Sequence, residues 1–190
     1  MKPKMKTPIY DFVQKYACSD VLRLHMPGHK GKGENPSYAL DITEIEGAGA
    51  LYSESGIIAQ SEKNASSLFG HPTFYSAEGS SQCIKAMLFL CRMYIDEMKP
   101  RRRGKMLVAA GRNAHSAFIS AAALTDFDIM WIYPEKDEKN GANGFLSCRT
   151  APADIERALV SCHKIPDALY ITSPDYLGNI QDIGAISEIC

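Results

Sequence analysis

The sequence predicts an α/β domain: a mostly parallel sheet with helices on both faces, a three-layer α/β/α arrangement. Three short segments, residues 106–110, 129–133 and 168–172, are apolar at nearly every position. Continuous apolar runs suit strands buried on both faces, whereas a strand with one wet face alternates. Each run neighbours a stretch of helical periodicity, at 115–124, 152–162 and from 182 onward. Strands that alternate with helices pair in parallel, because each helix serves as the crossover.

The elements follow in order. Thr7-Pro8 reads as an N-cap with proline at the first helical position, and Ile9, Phe12, Val13 and Tyr16 then fall at helical spacing. Residues 22–55 are rich in glycine and proline and lack a period, which predicts an irregular arm. Residues 1–60 are therefore expected as an N-terminal helix and arm, and 61–190 as the larger α/β part. Within the latter, 61–69 reads as a short helix closed by Gly70, and Thr73-Phe74-Tyr75 as a short strand. A long helix follows Gly79-Ser80-Ser81, with Ile84, Leu88, Cys91, Ile95 and Met98 on one apolar stripe. Pro100 and Arg101-Arg102-Arg103 end it, and the arginines read as solvated surface charge. Asp182 is a candidate N-cap for a last helix. That helix carries no terminating motif, so the sequence reads as the front portion of a longer polypeptide.

Composition narrows the function. Among 190 residues, 21 basic and 22 acidic side chains give a net charge of −1, which supplies no electrostatic attraction to nucleic acid or an acidic membrane. The sequence contains no apolar run of about 18 residues that could cross a bilayer. The basic N-terminus leads into no apolar signal segment, and the expected compartment is the cytoplasm. Six cysteines show neither a C-x-x-C pair nor metal-ligand spacing, so they are expected to be reduced and mostly buried, with no metal site.

Four constellations could carry chemistry. Gly79-Ser80-Ser81 opens a long helix, where unpaired amides and the helix dipole suit a phosphate; a serine cap on a glycine turn explains the same residues. Arg112-Asn113-Ala114-His115 follows the 106–110 strand, at the sheet edge where such folds bind ligands. His115 there could stack on a flat cofactor, act as acid or base, or simply cap a helix. Ser173-Pro174-Asp175-Tyr176, leading to Gly178, lies at the equivalent end of the last strand and reads either as a third wall of the site or as a proline turn with a capping aspartate. In His25-Met26-Pro27-Gly28-His29-Lys30-Gly31, Pro27-Gly28 breaks any helix that could align the histidines on a metal. His25, His29 and Lys30 suit the lining of a polar pocket, and Lys30 also reads as surface charge.

Taken in order, these pieces resemble the Orn/Lys/Arg decarboxylase major-domain family. HMPGHKG at 25–31, Asp41-Ile42-Thr43-Glu44, Phe69-Gly70, Gly79-Ser80-Ser81, Arg112-Asn113-Ala114-His115 and Thr172-Ser173-Pro174-Asp175-Tyr176-Leu177-Gly178 carry the likeness, which spans residues 8–190. The resemblance implies the aspartate-aminotransferase fold (type I) and pyridoxal 5'-phosphate as cofactor. It also implies a decarboxylase of lysine, arginine or ornithine in the parent protein, in polyamine metabolism, assembled as a homodimer or higher oligomer. Gly79, Ser80 and Ser81 would hold the cofactor phosphate, and His115, the catalytic candidate, would stack on the pyridine ring. His25, His29 and Lys30 would help shape the substrate pocket. Where many members have lysine after the histidine, this chain has Ser116. The family's Schiff-base lysine, in a Ser-x-His-Lys block, and the aspartate paired with the pyridine nitrogen lie beyond a segment like 172–178, and neither falls within these residues. An aminotransferase or other lyase of the same fold type, and a non-catalytic partner subunit, are the alternative readings.

Overall fold

The computed structural model describes residues 6–100, 104–134 and 148–190, so Arg101-Arg102-Arg103 lies outside the described residues. The chain divides into two units, Met1–Ala77 and Glu78–Cys190. In the first, α1 (Pro8–Ala17) starts with proline in its first turn as predicted. Thr7 does not cap it by accepting an amide; its hydroxyl instead donates to Asp11 Oδ1 at 3.0 Å. The arm contains a 3-10 helix at Pro36–Leu40, capped by Asn35. The next helix, α2 (Gly56–Phe69), begins earlier than its periodicity indicated and ends at Gly70 in the left-handed region (φ 74°). It groups with the arm rather than with the α/β part. Residues 73–75 are not a strand. Their amides bond to α2 side chains instead, Thr73 to Ser66 Oγ and Tyr75 to Glu62 Oε1, each at 2.8 Å.

The second unit begins with α3 (Gly79–Met98), then β1 (Leu107–Gly111), α4 (Ser116–Thr125), β2 (Asp128–Ile132), α5 (Pro152–Ser161), β3 (Ala168–Tyr170) and α6 (Ile183–Ile189). The strands form a parallel sheet in the order β2-β1-β3. Val108 pairs with Ile129 on one side and with Ala168 on the other. Because side chains alternate across a strand, Val108 and Ala110 pack with Leu88 and Ile95 of α3 and Phe118 of α4. Ala109 points the other way, to Ile132, Ile155 of α5 and Ile186 of α6. Two helical layers thus enclose one sheet, as the uninterrupted apolar runs predicted.

The stripe on α3 places Leu88 and Ile95 in the core, with Ile84 and Cys91 against it, whereas Met98 is exposed. All six cysteines are free, and none is fully buried: Cys18, Cys83 and Cys190 are exposed and the others intermediate. The expectation of mostly buried thiols therefore fails throughout, and most plainly in α3 at Cys83, which sits off the apolar stripe. Burial, and secondarily the Asp167 carboxylate, push the Cys91 thiol up, which keeps it protonated.

Among the described residues Phe118 has the most ring partners, stacked on Tyr170 at 4.5 Å with Phe127 at 5.7 Å and Trp131 at 6.0 Å. We expect Phe118→Ala to cost about 3–5 kcal/mol in urea unfolding, and exposed Leu124→Ala to cost less than about 0.5 kcal/mol.

Candidate active site at the carboxyl edge of the sheet

The two helices that bear candidates run against the strands. The end of α3 lies where the strands begin: Lys99 Nζ is 2.9 Å from Asp167 Oδ1, and Asp167 Oδ2 accepts the amide of Leu107, the first residue of β1. α4 ends at that same edge. Arg92 of α3 donates to the Thr125 carbonyl at 2.6 Å, and the Asp128 amide donates to the Met106 carbonyl at 2.8 Å. The first turns of both helices therefore open at the opposite, carboxyl edge. Ile84 of α3 and Ala114 pack on the same core cluster near that edge. The structure thus brings Gly79, Ser80 and Ser81 to the same end of the unit as His115.

Gly79-Ser80-Ser81 is the first turn of α3 itself, not a loop before it, and the N-cap position belongs to Glu78. The serine-cap explanation is thereby removed. Gly79 has a φ of 67°, and a Cβ there would meet nothing within 4 Å. It is the left-handed backbone that calls for glycine here. Ser80 is exposed and Ser81 half-buried. The amino end of a 20-residue helix, bearing two hydroxyls and no side-chain cap, is a donor set of the right polarity for a phosphate.

His115 is the N-cap of α4, with Nδ1 accepting the Ala117 amide at 3.1 Å. A nitrogen that accepts carries no proton, so Nε2 is the protonated one. The cap fixes the ring while leaving the residue exposed. Next to it, Arg112 lies over the Trp131 ring at 4.5 Å.

The loop after β3 is organised by Asp175, which is 8% exposed. Oδ1 accepts the amides of Leu177 and Asn179, each at 2.9 Å, and Oδ2 accepts Asn179 Nδ2 at 2.9 Å. Oδ2 also accepts Asn113 Nδ2, from the turn after β1, at 3.2 Å. The Asn179 side chain, with further bonds from its amide, from Asn113 and from Leu177, holds the carboxyl down at about 2 against burial. The capping aspartate read from the sequence is present. The bond that links the two loops was not legible, since it joins residues 62 apart.

The other candidates lie in the first unit. His25 Nε2 meets the Tyr16 hydroxyl at 2.9 Å, and its Nδ1 faces the Met26 carbonyl. His29 Nδ1 accepts the Gly31 amide at 3.0 Å, its Nε2 pairs with Asp41 at 3.1 Å, and its ring stacks on Tyr38 at 4.3 Å. Lys30 Nζ donates to the His25 carbonyl at 2.7 Å. All three are thus occupied within the first unit. Among the described residues no group of histidine, cysteine and acidic side chains could hold a metal, and no helix is long and apolar enough to cross a membrane.

These features define a parallel α/β unit with the amino end of a long helix and a capping imidazole at one sheet edge. The chain belongs to the Orn/Lys/Arg decarboxylase major-domain family, whose model matches residues 7–190. It is 28% identical to an arginine decarboxylase of Bacillus subtilis, over 97% of this chain and 37% of that protein. Arginine decarboxylases of Bacillus cereus and Bacillus anthracis are each 25% identical, over 97% of this chain and 39% and 36% of theirs. The chain therefore spans well under half the length of these relatives.

Two outcomes are expected. The Asp175 carboxyl lies below its ordinary 3.8, so its contribution to stability is present above that value and lost as pH falls through about 2. The gap in urea midpoint between wild type and Asp175→Asn should hold near neutrality and shrink from about pH 5 downward; a constant gap to pH 3 contradicts this. At Gly111, a Cβ would come within 2.6 Å of buried Thr150 Oγ1 and 2.9 Å of Asn113 Oδ1. Gly111→Ala should lower stability by about 1–3 kcal/mol, measured in the same way, whereas the same change at the unencumbered Gly28 should not.

Proposed function

We propose that this chain supplies the cofactor-binding face of a pyridoxal-phosphate-dependent decarboxylase of a basic amino acid. Arginine is the first substrate to test, because three relatives carry that activity in their names; lysine and ornithine follow. The observation that carries the reading is the shared edge: the first turn of α3 and the His115 ring open at one end of the sheet, and the family match runs through both.

When bound, the cofactor supplies an electron sink for the pair released as the Cα–carboxylate bond breaks. The amides and hydroxyls of Gly79, Ser80 and Ser81 bind its phosphate, aided by the dipole of α3. His115, held by its bond to Ala117, offers a ring face to the pyridine and keeps its proton on the far nitrogen. In the first unit, His25, His29 and Lys30 already have partners, which hold the 25–31 loop in its shape. A homodimer in the cytoplasm completes the reading, and six free cysteines accord with a reducing compartment.

The product of the complete reading frame, purified with and without pyridoxal phosphate, should release CO₂ from one of the three amino acids only when the cofactor is present. Formation of a keto acid without CO₂ would point to an aminotransferase and overturn the proposal. Replacing both Ser80 and Ser81 by alanine should weaken cofactor affinity by about tenfold or more, since two donors to a charged acceptor are lost.

A further inference from the structure

The turn that carries His115 has few attachments of its own. The Ala114 amide closes it on the Gly111 carbonyl at 3.2 Å, and His115 is bonded forward, to Ala117. Asn113 provides a tie across the sheet edge, through Nδ2 to Asp175 Oδ2 at 3.2 Å. On the other side, the loop is rigid before that tie is made. Asp175 donates its amide to the Asn179 carbonyl, accepts the Gly178 amide on its own carbonyl, and spends its remaining carboxylate bonds on Leu177 and Asn179. Among the described residues, the Asn113 contact is the one side-chain bond of Asp175 that leaves its own loop. Beneath the pair, a Cβ added at Gly111 would come within 2.9 Å of Asn113 Oδ1, so the Asn113 amide lies directly over the end of β1.

We infer that Asn113 and Asp175 form a clasp between the loops after β1 and β3, and that this clasp positions the His115 ring. They are positioning residues rather than catalytic ones. The inference rests on the reading of His115 as the residue that covers the cofactor ring. Chemistry favours a clasp of this kind: a carboxylate with its lone pairs already directed by a closed loop is a fixed anchor. An amide hydrogen bonded to it is stronger than one bonded to a neutral acceptor.

The test needs a variant that opens the clasp and spares the loop. Asn113→Ala does so, since every bond within 175–179 is retained. Trp131 is the only tryptophan in the sequence, and Arg112, adjacent to Asn113, lies over its ring. Its emission thus reports on the turn with no cofactor present. In the protein from the complete reading frame, cofactor-free Asn113→Ala should shift the Trp131 emission and exchange the Ala117 amide about tenfold faster. Cofactor affinity should fall by about tenfold. Asn113→Asp, which sets a second carboxylate against Asp175 and leaves the bonds within 175–179 in place, should shift all three at least as far. Should Asn113→Ala fail to fold, Asn113→Ser serves the same comparison. Unchanged emission and Ala117 exchange would overturn the clasp. Altered emission and exchange with unchanged cofactor affinity would overturn its positioning role. A wild-type protein that takes up no cofactor overturns the functional reading instead, while emission and exchange still decide whether the clasp exists.

Discussion

The second unit depends on β1 having no exposed face. Val108, Ala109 and Ala110 are fully buried, with two helices on one side and two on the other. A central strand with alanine at successive positions lets both helical layers approach closely, and it fixes the direction of everything attached. α4 leaves the end of β1 and must return to the opposite edge before β2 can pair in parallel. α3 lies alongside α4 in the same direction, tied by Arg92 to the Thr125 carbonyl. Two helix amino ends therefore face one edge as a consequence of topology, before any functional residue is considered. A ligand with a negative group would find that edge favourable through the dipoles alone.

That constraint explains which parts were legible. The strand runs at 106–110, 129–133 and 168–172 stand out because burial on both faces leaves no polar position. Each appears within one or two residues of its predicted place. The ends were less visible: β3 stops at Tyr170, where Ile171 and Thr172 continue the apolar run but not the pairing. Residues 73–75 misled for a related reason. Thr-Phe-Tyr has the composition of a strand, yet the partners of its amides are the Glu62 and Ser66 side chains. Composition records what a residue favours, and cannot tell which acceptor its amide will find.

The candidate site divides along the same line. Gly79-Ser80-Ser81 and His115 were readable because helix starts and strand ends have local signatures. The 25–31 loop was readable as a glycine-punctuated polar segment, and its histidines look available in sequence. In the structure both nitrogens of each ring are engaged, His25 by Tyr16 and Met26, His29 by Gly31 and Asp41. Their partners lie as far as 12 positions away, beyond the reach of any motif. A histidine with both ring nitrogens engaged has its energy invested in the shape of the segments it joins, here the 25–31 loop, α1 and the stretch that ends at Asp41.

The donors that converge on position 175 require a charge there. Its two oxygens accept from the amides of Leu177 and Asn179 and from the side chains of Asn179 and Asn113. A carboxylate offers about four lone-pair directions, which matches that demand. An asparagine at 175 would offer one oxygen and point an NH₂ group at the amides of Asn113 and Asn179, donor against donor. It could close the 175–179 turn through its single oxygen or reach across to Asn113, but not both. Protonation would remove an acceptor in the same way, and the donors themselves oppose it by holding the carboxyl near 2. The ionised state is thus required by the number of donors that converge there, and the turn bearing His115 is fastened by it.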